Sequence, residues 1–300
     1  MIPAAFDYVA PTSVEEAVRA LAGGGEDAKA MAGGQSLVPL LRMRLAAPAL
    51  VVDLSRLTGL AGVRDDGDSL LVGAMTTHRD VRRDPLVAGH ARLLRLATGT
   101  VADAQVRNRG TFGGSLAHAD PAGDLSAPAL ALGAVMVCEG PGGTREVPAA
   151  EFFVDHFTTA LAPDELLTQV RVPKLTGWGA HYEKFTRVAQ AWSIVGVAAA
   201  VEVVDGGVER AGVALTNMGP TALRAHGVEE ALVGQPADAG AIAAAAERAA
   251  EGADPPVDAD ADADYRRHLA RVLTRRALAA AVDAAVNETG DAVGDAVVGT

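Results

Sequence analysis

Apolar residues at Val14, Ala17, Val18 and Leu21 recur at helical spacing, so the first strong pattern in the chain is an amphipathic helix. Ser13-Val14-Glu15-Glu16 supplies a capping box at its start, and Gly23-Gly24-Gly25 ends it. Ala28–Ala32 predicts a short strand running into Gly33-Gly34. A second helix follows from about Ser36, with Pro39 in its first turn, where a missing N–H costs nothing. Pro48 interrupts the pattern, and Leu50-Val51-Val52-Asp53-Leu54 has the unbroken apolar character of a buried strand. Together these elements spell a small β-α-β unit.

From Leu60 the period changes. Ser69–Val72, Ala134–Glu139 and Leu166–Val172 predict strands between Gly- and Asp-rich turns, with one helix over Leu86–Thr98. Beyond Pro173, Phe185-Thr186-Arg187, Ser193–Val203 and Val208–Thr216 predict antiparallel strands, the last two joined by the hairpin turn Asp205-Gly206-Gly207. Helical spacing returns over Ala239–Glu251 and Tyr265–Val282, separated by an Asp/Pro-rich linker. Glu288–Thr300 carries Gly and Asp without a core face and predicts a frayed end, at the latest from 291 to 300. No solenoid-type repeat is present.

Composition narrows the field. An apolar fraction of 49% over 300 residues excludes a disordered chain. A net charge of −12 argues against nucleic acid, whose phosphates need a basic footprint. The lone cysteine, Cys138, excludes an intrachain disulfide or a cysteine-held cluster, and its apolar run predicts a buried thiol. No apolar stretch reaches the roughly 18 residues of a membrane span, and the N-terminus shows no signal peptide. The expectation is a soluble, cytoplasmic protein without membrane insertion.

Several signatures fail on inspection. None of the three lysines is followed by Ser or Thr, so there is no Walker-type loop. Gly23 to Ala28 matches a loose dinucleotide fingerprint but follows a helix instead of a strand. The alternating run Asp258 to Asp264 lacks the Gly and Glu of a calcium loop and predicts a solvated linker, so no metal site is expected. The histidines form no catalytic set. His118 lies beside a glycine-rich segment, whereas His78, His156 and His181 are expected at the surface or as satisfied packing residues.

Two glycine-rich segments survive. Ala32-Gly33-Gly34-Gln35-Ser36-Leu37 is a strand-to-helix turn whose glycines admit positive φ and close approach, with amides free at the helix start. Gly110-Thr111-Phe112-Gly113-Gly114-Ser115-Leu116 offers further amides and hydroxyls, and Asp124 follows as an acceptor for ribose or ribityl hydroxyls. Either alone makes an ordinary turn as readily as a binding loop. Two in one chain suggest a dinucleotide clamped from both sides.

These segments, with Pro3-x-x-Phe6-x-Tyr8-x-x-Pro11 before them and Leu215-Thr216-Asn217-Met218-Gly219-Pro220-Thr221 and Arg224-Ala225 after them, resemble the FAD-binding medium subunit of the molybdenum hydroxylases. This is the family of aerobic carbon monoxide dehydrogenase and xanthine dehydrogenase. The likeness extends through Tyr265-Arg266-Arg267 and Arg275-Arg276-Ala277-Leu278.

The resemblance implies an α+β chain. A two-subdomain FAD-binding unit of the PCMH type would span residues 1–175, divided at about 57/58, with a five-stranded sheet in its second half. A C-terminal domain of antiparallel strands plus helices would span 176–290. FAD would lie between the first two parts, its pyrophosphate held by Ala32, Gly33, Gly34, Gln35, Ser36 and Leu37 and by Thr111, Gly113, Gly114 and Ser115. Asp124 would bind the sugar-like part, Leu167 would pack on the isoalloxazine, and Lys184 would contact the flavin.

Flavin is commonly tethered through His, Cys or Tyr; the first loop carries Gln35 and Ser36, and Cys138 reads as core, so attachment is expected to be non-covalent. The resemblance also implies a large molybdenum-cofactor subunit and a small 2Fe-2S subunit as partners, in a dimer of heterotrimers. FAD would then pass electrons from the iron–sulfur clusters to an external acceptor, with no catalytic side chain in this subunit. Carbon monoxide dehydrogenases typically show His in place of Gln35 and a Tyr near Ala191-Trp192-Ser193, which puts carbon monoxide itself in doubt as substrate. A self-contained flavin oxidoreductase is the alternative.

Overall fold

The computed structural model describes residues 2–297, with side chains as far as Asn287. The tail expected to fray therefore lies outside the described side chains, and residues 298–300 lie outside the described residues altogether.

The N-terminal unit comprises β1 (Asp7–Val9), α1 (Val14–Gly24), β2 (Ala28–Met31), α2 (Leu37–Met43) and β3 (Leu50–Asp53). Its sheet is parallel, in the order β1-β3-β2. Ser13 caps α1 by accepting from the Glu16 amide, while the Glu16 carboxylate reaches back to Thr12 instead of Ser13. Ala17, Val18 and Leu21 pack on Ala28, Val52 and Leu54, as the periodicity required. Strand β1 left too short a pattern to be read. It is placed by parallel pairing with β3 and by the Tyr8 hydroxyl, which donates to Asp53 at 2.5 Å.

The middle unit begins with β4 (Val63–Asp66) and β5 (Ser69–Gly73). Helices α3 (His78–Arg83), α4 (Pro85–His90), α5 (Arg92–Thr100), α6 (Ala104–Arg107), α7 (Phe112–His118) and α8 (Ser126–Ala131) follow. Then come β6 (Val135–Gly140), β7 (Gly143–Pro148), α9 (Ala149–Phe152), β8 (Phe153–Asp155), β9 (Thr158–Thr159) and β10 (Leu166–Pro173). Its sheet is antiparallel with five strands, β4-β5-β10-β6-β7. The single helix expected over Leu86–Thr98 is two helices: Ala91 leaves helical geometry at φ −138°, and Asp84 caps the first of them. Cys138 is buried on β6, and burial pushes its thiol up to about 11.

The last unit holds β11 (Gly179–Phe185), β12 (Val195–Val204), β13 (Gly207–Thr216), β14 (Leu223–Arg224), α10 (His226–Leu232), α11 (Ala239–Ala246) and α12 (Ala263–Val297). Its four strands run antiparallel in chain order. Val195, Val197, Ala199 and Val201 face a core shared with α10, α11 and α12. On the opposite face, Ala198, Ala200 and Ala214 join the core of the middle unit. A sheet buried on both faces reads as one apolar run, which is why Ser193–Val203 shows no alternation. The bare face admits helix α8 so closely that a Cβ on Gly212 would lie 2.2 Å from the Ala131 carbonyl oxygen.

The aspartate run is structural. Asp258 accepts from the amides of Asp260 and Ala261 and pairs with the buried Arg266 at 2.6 Å, while Arg266 also donates to the Ile194 carbonyl. The fold is α+β, as expected. Among the described residues no helix is long and apolar enough to cross a membrane.

Candidate functional site

Strand β2 stops pairing at Met31, and Gly34 takes φ +73° to turn the chain into α2. The Gln35 side-chain amide folds back onto the Gly33 carbonyl at 3.2 Å. The backbone amides of Gly33, Gly34, Gln35 and Ser36 find no acceptor among the described residues. A run of free amides is a recess for an anion.

The second glycine segment packs against the first. A Cβ on Gly33 would lie 2.1 Å from the Arg109 carbonyl oxygen, and one on Gly114 would lie 3.3 Å from the Ala32 Cβ. Here the structure corrects the sequence reading. The segment is helical from Phe112, and from Phe112 to Ser115 its amides are already paired. Thr111 Oγ1 accepts from the Gly114 amide at 3.1 Å, while Phe112 and Gly113 donate to the carbonyls of Thr76 and Ala74. Gly113 is there for fit, since a Cβ would lie 2.4 Å from the Ala74 Cβ. Thr111, Gly113, Gly114 and Ser115 thus offer the cleft close backbone and the Ser115 side chain, not a second row of free amides.

Ala32 to Leu37, Thr111, Gly113, Gly114, Ser115, Asp124, Leu167 and Lys184 all line one cleft of about 500 Å³. Leu167 reaches it from β10, at a bulge opposite β6. Trp192 also lines the cleft and is 58% exposed.

Asp124 departs most from expectation. It is 5% exposed, and its oxygens already accept from Tyr182 Oη (2.9 Å), Ser193 Oγ (2.9 Å) and Lys184 Nζ (2.7 Å). Burial pushes its carboxyl above the ordinary range, against the pull of Lys184 and the hydrogen bonds. Burial likewise drives the Tyr182 phenol well up, reinforced by the Asp124 charge. These three bonds occupy most of its acceptor sites and place Asp124 to hold Lys184, while the residue still lines the cleft. The lysine also donates to the Thr100 carbonyl at 3.3 Å, at the C-terminal end of α5. Its third N–H has no protein acceptor among the described residues, and the residue lines the cleft.

His78, expected at the surface or satisfied, is neither. It is 4% exposed, lines the cleft beside Gly110, and its Nδ1 has no partner among the described residues. Burial, aided by the Arg107 charge, depresses its pKa from 6.5 to about 4. Between these values the unfolded chain binds a proton that the fold refuses, so stability falls as pH falls. The expected loss from pH 7 to pH 5 is about 2 kcal/mol. Urea midpoints at both values should show it, and His78→Gln should flatten the slope; an equal slope in the variant removes His78 as its source.

The arrangement suits a flavin dinucleotide. The residues of four free amides and the Lys184 ammonium line the cleft, and Leu167, Leu161 and Met75 supply apolar surface. No one of these features was visible in the sequence as more than a local pattern; the sequence reading missed His78 and the positive-φ bend at Ala102, because neither carries a local signature.

Comparison with known proteins agrees. Residues 4–175 match the family described as "FAD binding domain in molybdopterin dehydrogenase", and residues 180–281 match the "CO dehydrogenase flavoprotein C-terminal domain". The carbon monoxide dehydrogenase medium chain of Hydrogenophaga pseudoflava is 42% identical over 82% of this chain and 86% of its own. Subunit alpha of the 6-hydroxypseudooxynicotine dehydrogenase complex of Paenarthrobacter nicotinovorans is 41% identical over 82% and 84%. A solved carbon monoxide dehydrogenase from H. pseudoflava superposes with TM-score 0.91 at 42% identity, covering 94% of this chain and 98% of that one. Quinoline 2-oxidoreductase from Pseudomonas putida 86 superposes with TM-score 0.90 at 36% identity, covering 95% and 99%. The chain belongs to this family and is an FAD-binding medium subunit of a molybdenum-hydroxylase-type dehydrogenase.

Proposed function

We propose that the chain is an electron-transfer subunit, taking electrons from a small 2Fe-2S subunit that is served by a large molybdenum-cofactor subunit, and delivering them through FAD to an external acceptor. The observation that carries this reading is the single cleft into which the family's motif residues converge from all three units of the chain. The Gly33 to Ser36 amides would hold the pyrophosphate, Leu167 would support the ring, and Lys184 would direct its remaining N–H to the flavin, fixed there by Asp124 and Thr100. When bound, flavin supplies redox chemistry that accepts and releases electrons singly or in pairs. The protein's own work is to bind it, orient it and set its electrostatic surroundings.

Relatives named for carbon monoxide and for 6-hydroxypseudooxynicotine are 42% and 41% identical to this chain, which supports placing substrate choice in another subunit. The flavin is expected to be non-covalent: acid precipitation should leave its colour in the supernatant. Coexpression with neighbouring genes for large and small subunits should yield a copurifying complex in which an organic substrate bleaches the flavin. The isolated chain should be bleached by dithionite and by no such substrate. Substrate bleaching of the isolated chain would instead establish a self-contained oxidoreductase.

A further inference from the structure

A second concavity lies outside the flavin cleft. Its volume is about 470 Å³, and it is lined by Arg79, Arg82 and Arg83 of α3, Arg95 of α5, and Arg107 and Asn108 at the end of α6. No acidic residue lines it. Five guanidinium groups thus surround one recess in a chain whose net charge is −12.

The arginines are held by contacts that leave their charge largely uncompensated. Arg79 pairs with Asp80 at 2.9 Å, and the Arg79 and Arg83 charges both contribute to lowering the Asp80 carboxyl. Arg82 lies over the bare backbone of Gly99, where a Cβ would come 3.4 Å from its Nε. Arg107 Nη1 donates to the carbonyls of Val101 and Ala102, at 2.7 and 3.0 Å. Arg82 and Arg95 have no carboxylate or carbonyl acceptor among the described residues. Like charges gathered around one hollow repel, and the Asp80 carboxylate offsets them only on the side of Arg79 and Arg83. A bound counter-anion removes that repulsion.

We propose that this hollow binds a compact, multiply charged phosphate ligand. Guanidinium forks match phosphate oxygens two at a time, and several forks around a small volume favour a ligand with several such oxygens close together. The hollow's size and concavity favour a small molecule over an extended acidic segment of a partner subunit. The site borders the flavin cleft: Val101, Ala102 and Val106 line the cleft, while Ala104 and Arg107 line the hollow. It is nonetheless separate, since none of its lining residues lines the cleft.

Inorganic pyrophosphate is the probe, titrated calorimetrically into the FAD-loaded chain at constant ionic strength. One saturable site is expected, with affinity reduced about tenfold or more by the double substitution Arg82→Gln/Arg95→Gln, and unchanged flavin absorbance. Absence of saturation, or equal affinity in the variant, would overturn the proposal. Unchanged pyrophosphate binding together with loss of copurifying subunits would reassign the hollow to an acidic partner segment. If the double variant does not fold, labelling of Arg95 by phenylglyoxal in the wild-type chain decides: pyrophosphate should protect it, and equal labelling with and without pyrophosphate rejects the site.

Discussion

Replacing Lys184 with methionine is expected to destabilise the chain by about 3–5 kcal/mol, the cost of stranding a buried carboxylate without its cation. The pair is closed to water, with side-chain exposures of 8% for Lys184 and 4% for Asp124. Tyr182 and Ser193 would continue to donate to Asp124, but neither brings a charge. The variant's pH dependence follows from the same geometry. Without the ammonium, the folded-state carboxyl rises still further above its unfolded value, so the fold gains a proton that the unfolded chain lacks. Its stability is retained at low pH and lost as pH rises through the folded value, making the deficit larger at pH 8 than at pH 5. Adding Asp124→Asn should recover most of the deficit at pH 8. Urea unfolding of the two single variants and the double variant measures the coupling directly, and additive losses would show that the pair is not the source.

Gly33→Ala is expected to strip the flavin while leaving most of the fold. The added methyl would lie 2.1 Å from the Arg109 oxygen and 2.8 Å from the Gly110 Cα, so the two glycine segments must separate. The row of amides from Gly33 to Ser36 moves with them. The core of the first unit, around Ala17, Leu21 and Val52, does not include this turn. FAD affinity should therefore drop on the order of a hundredfold, about 3 kcal/mol, with little change in the far-ultraviolet dichroism. Gel-filtered protein with its full 450 nm flavin absorbance would show that the close approach of the segments is dispensable.

The elements with a strong local signature were legible. Helix α1 announced itself through its capping residue and its 3.6-residue period, and the hairpin between β12 and β13 through Asp205-Gly206-Gly207. The helices α3, α6 and α7 were not. They are four to seven residues long, too short for a period to emerge, and the glycines of α7 argue against helix. The same limit governed the site. The first turn was read correctly as a bend with open amides, because Gly-Gly between strand and helix has few alternatives. In the second, the amides from Phe112 to Ser115 are taken by Thr76, Ala74 and Thr111, the first two distant in sequence, so no matching row of open amides forms there. Asp124 was found by its place after the glycines and Lys184 through the family resemblance, but their pairing, and the further donors Tyr182 and Ser193 from 58 and 69 residues along, lay beyond any motif.

The sheet formed by β11 to β14 has an apolar face on each side, and one of those faces closes the core from which Asp124 projects. The two regions matched by separate family descriptions, 4–175 and 180–281, are therefore not interchangeable parts. A chimera taking its second half from a relative must keep glycine where Gly212 meets Ala131, and donors where Tyr182 and Ser193 meet Asp124. The boundary between the halves is a place where the chain passes, not a seam at which the molecule can be cut, and grafting across it transfers part of the cofactor's support along with the graft.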